Sequence, residues 1–282
     1  MKRWIRWMAL VIPALGGLLD LPAADFRVQG SDTMVTLAQR WAEAYMGENP
    51  GVSIEVNGGG TGTGIAALLN RTADIATCSR RIRAREVEGC VRRFAARPRE
   101  YPVALDAVVI HVHASNRVEA LDLGQLSGIF SGRIRNWSEV GGADARIIPY
   151  SRENSSGTYE FFKEAVLKRG DFAGSVQMLQ GTAQVLSAVA HDPNGIGYGS
   201  GALSAGTRAI RIAPAPGTQA VQADESTVRA GSYPLSRRLF LYLDPAVDVG
   251  KLRQWIEWIR GAAGQRIVGE MGYFPLEVPP GR

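Results

Sequence analysis

Apolar and polar positions in this chain follow two periods that take turns. Phe26-Arg27-Val28-Gln29 and Val52-Ser53-Ile54-Glu55-Val56 alternate at every second residue, as half-buried strands do. Between them Met34, Leu37, Ala38, Trp41 and Tyr45 recur at spacings of three and four, predicting a helix that Asn49-Pro50-Gly51 ends. Ile65, Ala66, Leu68 and Leu69 open a second helix, and Asp74-Ile75-Ala76-Thr77 reads as a third strand. Strand and helix in alternation predict an α/β fold, a mixed and mostly parallel sheet flanked by helices. In such sheets ligands bind beyond the carboxyl ends of the strands.

A second unit follows the same logic. Val108-Val109-Ile110-His111-Val112 restarts a strand after Tyr101-Pro102-Val103-Ala104-Leu105. Ile147-Ile148-Pro149-Tyr150 reads as a strand, and Tyr159, Phe162 and Val166 mark the packed face of a helix from Thr158 to about Leu167. Gln184 to Ala190 reads as a helix and Leu239-Phe240-Leu241-Tyr242-Leu243 as a strong strand. Two helices, Val249 to Arg260 and Ala262 to Met271, close the chain before a proline-containing tail.

Three of these strand-to-helix junctions share their chemistry. Gly30-Ser31-Asp32-Thr33-Met34, Gly58-Gly59-Gly60-Thr61-Gly62-Thr63-Gly64 and Arg152-Glu153-Asn154-Ser155-Ser156-Gly157-Thr158 each join glycine to hydroxyl residues where a helix begins. The first turn of a helix leaves N–H groups without partners and carries partial positive charge, so an oxyanion can collect backbone donors, hydroxyls and dipole together. Arg152 adds a planar fork suited to two oxygens. Taken singly, each turn has a plain alternative in which Ser31, Thr33 or Ser156 caps its helix and Arg152 lies in solvent. Independent capping does not require the same order of elements three times, and three such ends suggest one tetrahedral guest.

Charge and composition narrow the field. The 282 residues are 45% hydrophobic and 21% charged, ordinary globular values with no sign of disorder. Met1-Lys2-Arg3-Trp4-Ile5-Arg6 is basic, the apolar run from Trp7 to Leu19 is short for a membrane span, and small residues follow at Ala23 and Ala24. This pattern predicts a secretory signal peptide over residues 1–24, the alternative being an uncleaved anchor. In an exported protein Cys78 and Cys90 can form a disulfide or remain two buried thiols. Much of the net charge of +5 is local, with Arg80, Arg81, Arg83, Arg85, Arg92, Arg93, Arg97 and Arg99 close together. Ile82, Val87, Val91 and Phe94 between them favour a solvated helix face over a nucleic-acid surface, since aromatics for base stacking are sparse.

Enzymatic machinery is not evident. The glycine run contains Gly62-x-Gly64-x-x-Ala67, a dinucleotide-type variant, but Asp74 comes too early for the acidic residue that such sites need, and no Gly-Lys-Ser/Thr follows. Gly-x-Ser-x-Gly and His-Glu-x-x-His are absent. His111 and His113 would share one strand face, a weak basis for a metal site.

Together with Asp74-Ile75-Ala76-Thr77-Cys78-Ser79-Arg80, Ile129-Phe130-Ser131-Gly132-Arg133-Ile134-Arg135-Asn136-Trp137 and Gly195-Ile196-Gly197-Tyr198, the three turns resemble the periplasmic phosphate-binding proteins of bacterial phosphate ABC importers, two-lobed substrate-binding proteins. The resemblance implies a two-lobe fold with a two-stranded hinge near Ala104 to Val108 and Pro234 to Leu241. Residues 25–105 and 239–282 would form the first lobe and residues 106–238 the second. It implies a ligand set of Thr33, Met34, Thr61, Ser79 and Arg80 from the first lobe, answered by Arg152, Ser156, Gly157 and Thr158 from the second. It further implies a periplasmic monomer that binds inorganic phosphate and serves a membrane permease, with no cofactor, metal, catalytic residue or nucleic acid. Many members place in the cleft an aspartate that accepts the phosphate's own proton and so rejects sulfate. Here Ser79 aligns with it, leaving Asp32 or Glu153 as substitute acceptors. Sulfate, molybdate, a phosphatase and a sensing adaptor remain the alternatives on the same fold.

Overall fold

The computed structural model describes residues 24–204 and 206–277; the expected signal peptide lies outside them apart from Ala24, as does the end of the proline-containing tail. In chain order the elements are β1 (Phe26–Gly30), α1 (Val35–Glu48), β2 (Ile54–Asn57), α2 (Thr61–Asn70), β3 (Ile75–Cys78), α3 (Ala84–Phe94) and β4 (Arg99–Val112). There follow β5 (Ala120–Asp122), α4 (Leu123–Phe130), β6 (Ile148–Arg152), α5 (Gly157–Ala165), β7 (Gln177–Leu179), α6 (Thr182–His191), β8 (Gly195–Ser200) and β9 (Arg208–Ala213). The chain ends through α7 (Glu225–Arg229), β10 (Ser236–Leu243), α8 (Gly250–Arg260) and α9 (Ala262–Glu270).

The strands run in the order β2-β1-β3-β10-β4-β8-β6-β7, with β9 on β4 and β5 on β9. β1 is parallel to β2 and β3, and β6 is parallel to β7 and β8, as expected of strands joined through helices. β10 and β4 are antiparallel to each other. One apolar cluster packs α1, α8 and α9 on one half of the sheet, through Phe26, Leu37, Trp41, Trp255 and Val268. Another gathers Phe130, Trp137, Phe162 and Tyr198 on the other half.

The strand pattern differs from the reading of the sequence at the middle of the chain. Where a strand was expected to restart at Val108, a single strand runs from Arg99 to Val112, pairing with β10 in its first part and with β8 and β9 in its second. Asp106 interrupts the apolar run yet stays 1% exposed, because Arg237 and Ser200 partner it. Val103 and Ala104 belong to the first cluster and Ala107 and Val108 to the second, so this one strand joins the two cores. β10 likewise begins three residues before the expected Leu239, and thereby includes Arg237.

Other expectations resolve simply. Cys78 and Cys90 are buried free thiols. α3 buries only Cys90, in keeping with a solvated arginine face. His111 is buried in β4 while His113 lies beyond the strand's end, and among the described residues no cluster of metal-binding side chains occurs.

Candidate functional site: a hydroxyl and guanidinium cluster between the two cores

The first two turns deliver their helices without side-chain caps. At α1 the Gly30 backbone has φ +148° and packs so closely on Thr77 that an added Cβ would lie 2.3 Å from its carbonyl oxygen. Only glycine suits that approach. Ser31 donates its N–H to Thr77, and neither Met34 before α1 nor Gly60 before α2 offers a side-chain cap. Gly60 (φ +94°) donates to the Gly30 carbonyl at 2.8 Å, tying the two turns together. The third turn is capped, since Ser156 Oγ accepts from the N–H groups of Thr158 and Tyr159.

All three turns converge. Thr33 Oγ1 and Thr158 Oγ1 are 3.0 Å apart. Thr61 Oγ1 lies 3.5 Å from Ser79 Oγ and accepts the Ser79 N–H at 3.2 Å. A Cβ on Gly157 would stand 2.3 Å from Thr61 Oγ1 and 2.5 Å from Ser79 Oγ, so α5 begins directly against them. Gly62 N–H donates to the Ser155 carbonyl at 2.9 Å, a further bond between the α2 and α5 turns. Arg152, 1% exposed, donates from one terminal nitrogen to Asp32 Oδ2 (2.7 Å) and from the other to Thr182 Oγ1 (2.9 Å), while its Nε has no partner. Asp32 Oδ1 accepts the Gly59 N–H at 2.7 Å. Burial lowers the Arg152 pKa, and the adjacent Asp32 carboxylate opposes that shift.

Residues 21–262 match the family model described as the PBP superfamily domain. The chain belongs to the PBP superfamily. It is 33% identical over 263 residues to the phosphate-binding protein PstS of Pseudomonas aeruginosa, covering 88% of this chain and 81% of that protein. Among solved structures, a protein from Clostridium perfringens assigned as a phosphate ABC transporter substrate-binding protein, with bound phosphate, superposes with a TM-score of 0.81 at 28% identity, covering 89% of this chain and 99% of the other. An ABC-type phosphate transport receptor from Vibrio cholerae reaches 0.73 at 25% identity, covering 89% and 100%. The two-lobe α/β fold of the PBP superfamily matches the architecture described above.

Of the residues marked in the sequence, Thr33, Thr61, Ser79, Arg152, Ser156, Gly157 and Thr158 come together between the two cores. Two do not. The Met34 N–H donates to the Ser31 carbonyl at 2.9 Å and its side chain is fully buried in the first core, because the turn closes on itself before α1 starts. Arg80 turns to Glu86, donating to both its oxygens at 2.8 and 2.7 Å. Burial works against the charge of Arg80, but the Glu86 bonds outweigh it and raise the pKa.

Arg237 escaped the sequence reading. Its Nε donates to Asp106 Oδ2 at 2.8 Å, one terminal nitrogen donates to Thr158 Oγ1 at 3.0 Å, and the other reaches Thr33 Oγ1 at 3.5 Å. It therefore holds both threonine hydroxyls as acceptors; one of their two protons bridges the 3.0 Å between the hydroxyls, and the other is left to be given elsewhere. The available signal was its parity: Arg237, Leu239, Leu241 and Leu243 occupy alternate positions of one strand and all are buried.

Proposed function

We propose that this protein captures inorganic phosphate between its lobes in the periplasm and delivers it to the membrane permease of an ABC importer. The observation that carries this reading is the meeting of Thr33, Thr61 and Ser79 with Arg152, Ser156, Gly157 and Thr158 across the space between the two cores. Hydroxyls, uncapped helix starts and buried guanidinium groups suit a compact oxyanion, and charge-assisted hydrogen bonds to it contribute about 1.5–3 kcal/mol each. The relatives named for phosphate binding and the phosphate-bound neighbour support phosphate as that oxyanion. Their role also supports a substrate-binding protein rather than an enzyme.

The lobes in this reading are residues 25–105 with 239–282, and residues 106–238, joined where β4 and β10 run side by side. Closure brings Asp32 onto Arg152 and Thr33 onto Thr158, and ligand selects the closed arrangement by binding it better than the open one. Asp32 stands where Ser79 cannot: its carboxylate accepts the proton that monohydrogen phosphate carries and sulfate lacks. Residues 1–24 act as the signal peptide that exports the chain.

Calorimetric titration with phosphate and with sulfate, at pH 6 and at about pH 8, tests the reading on either side of the second ionisation of phosphate groups. Phosphate should bind with one-to-one stoichiometry, and Arg152→Ala should weaken it by at least about 100-fold with an unchanged circular dichroism spectrum. Unchanged affinity in that variant would remove the cleft from the argument.

A further inference from the structure

Beside the hydroxyl cluster lies a concavity of about 1100 Å³, between the segment leading into α3, helix α5 and β10. Its wall carries eight arginine and lysine side chains and only two carboxylates, Glu160 and Glu164, in a chain whose net charge is +5. Six of the eight basic groups are ion-paired, but four of the partners, Glu86, Glu100, Asp106 and Asp171, do not line the wall. The cavity therefore faces cations. Arg85 and Arg238 are exposed and have no ion pair among the described residues. The Arg80 side chain, 9% exposed, has an Nε without any partner. Phe240 under Arg81 and Phe161 under Arg237, with guanidinium carbons 5.6 and 5.5 Å from the ring centroids, fix two of the forks in place.

We propose that this vestibule is a second anion site, separate from the cleft, that takes a short condensed phosphate carrying several phosphoryl groups on one chain. The two sites differ in what they can select. The cleft presents hydroxyls and helix starts at close quarters, which suits one tetrahedral ion. The vestibule presents separated guanidinium and ammonium groups around a volume far larger than such an ion. A single oxyanion engages one fork and leaves the others unanswered, whereas linked phosphoryl groups engage several, each contact raising the effective concentration of the next. Arg237 lines the vestibule and also donates to Thr158, so the two sites are adjacent.

The test titrates the mature chain with tripolyphosphate, with and without saturating orthophosphate. One equivalent should bind in both conditions. Arg85→Ala with Arg238→Ala should weaken tripolyphosphate by at least about tenfold and leave orthophosphate affinity within about twofold. Arg92→Ala with Arg93→Ala, which removes equal charge from the far end of α3, should leave tripolyphosphate binding within about twofold. Loss of binding when orthophosphate is present would place the polyanion in the cleft and overturn the proposal. So would an equal loss in the two double variants, which would reduce the effect to net charge, and so would the absence of binding altogether.

Discussion

Arg152 donates to Asp32 Oδ2 over 2.7 Å, joining residues 120 positions apart across the space between the two cores. The guanidinium is 1% exposed, and the carboxylate is held from its other side by the Gly59 N–H. A buried cation is thus paired with a carboxylate from a distant turn. In the proposed phosphate site that carboxylate supplies a hydrogen-bond acceptor for the ligand's own proton.

Asp32→Asn removes the charge and keeps an oxygen for Gly59. The ratio of phosphate to sulfate affinity should drop by at least about tenfold, since a site built to accept a proton rejects the ligand lacking it. Parallel calorimetric titrations of wild type and variant read this directly. A ratio that stays the same removes Asp32 from the selectivity.

Gly157→Ala tests closure by volume alone. The new Cβ meets Thr61 Oγ1 and Ser79 Oγ at 2.3 and 2.5 Å only when the two sides are together. Since alanine suits the first turn of a helix better than glycine, the melting temperature should hold or rise while phosphate affinity falls by at least about tenfold. Small-angle scattering with saturating phosphate should then show a larger radius of gyration than wild type.

Asp106→Ala breaks a pair in which both side chains are at most 2% exposed, and leaves Arg237 charged and without its carboxylate partner. Loss of one partner of a buried ion pair costs about 3–5 kcal/mol, to be read from urea unfolding. Asp106→Leu combined with Arg237→Met should recover much of that stability but not phosphate binding. Recovery of both would show that Arg237 serves the fold alone.

His111 sets an acid limit. Thr207 donates its hydroxyl proton to the Ser204 carbonyl, so the ring donates from Nδ1 to Thr207 Oγ1, and the buried Nε2 has no partner. Burial lowers its pKa from 6.5 to about 4. Between these values the unfolded chain takes a proton that the folded one refuses. Stability is therefore complete above pH 6.5 and declines as pH falls to about 4, by about 3 kcal/mol in all. Urea unfolding at pH 7 and pH 4.5 should show this decline in wild type and a shallower one in His111→Leu.

The three glycine and hydroxyl turns were legible because everything that makes them is local: an alternating run, a residue free to take positive φ, a hydroxyl and a helical period. Arg80 and Met34 misled for the same reason. Adjacency to Ser79 and Thr33 is local, but the direction of a side chain is settled by what waits for it. Glu86 stood ready for Arg80, and the first core stood ready for Met34. The strand restart expected at Val108 failed likewise, since Asp106 can stay inside an apolar strand only because Arg237, far along the chain, pairs with it.

By itself the amino-acid order determined the alternation of strands and helices, the hydroxyl-rich helix starts and the concentration of arginines, all consequences of short-range periodicity and backbone preference. Only the folded chain decided that β4 is one strand serving two cores, that Arg237 reaches Thr33 and Thr158, and that Asp32 answers Arg152. Those contacts join residues between 79 and 204 positions apart. No short-range rule selects such partners, because desolvation and strand register choose among many distant groups of the right charge.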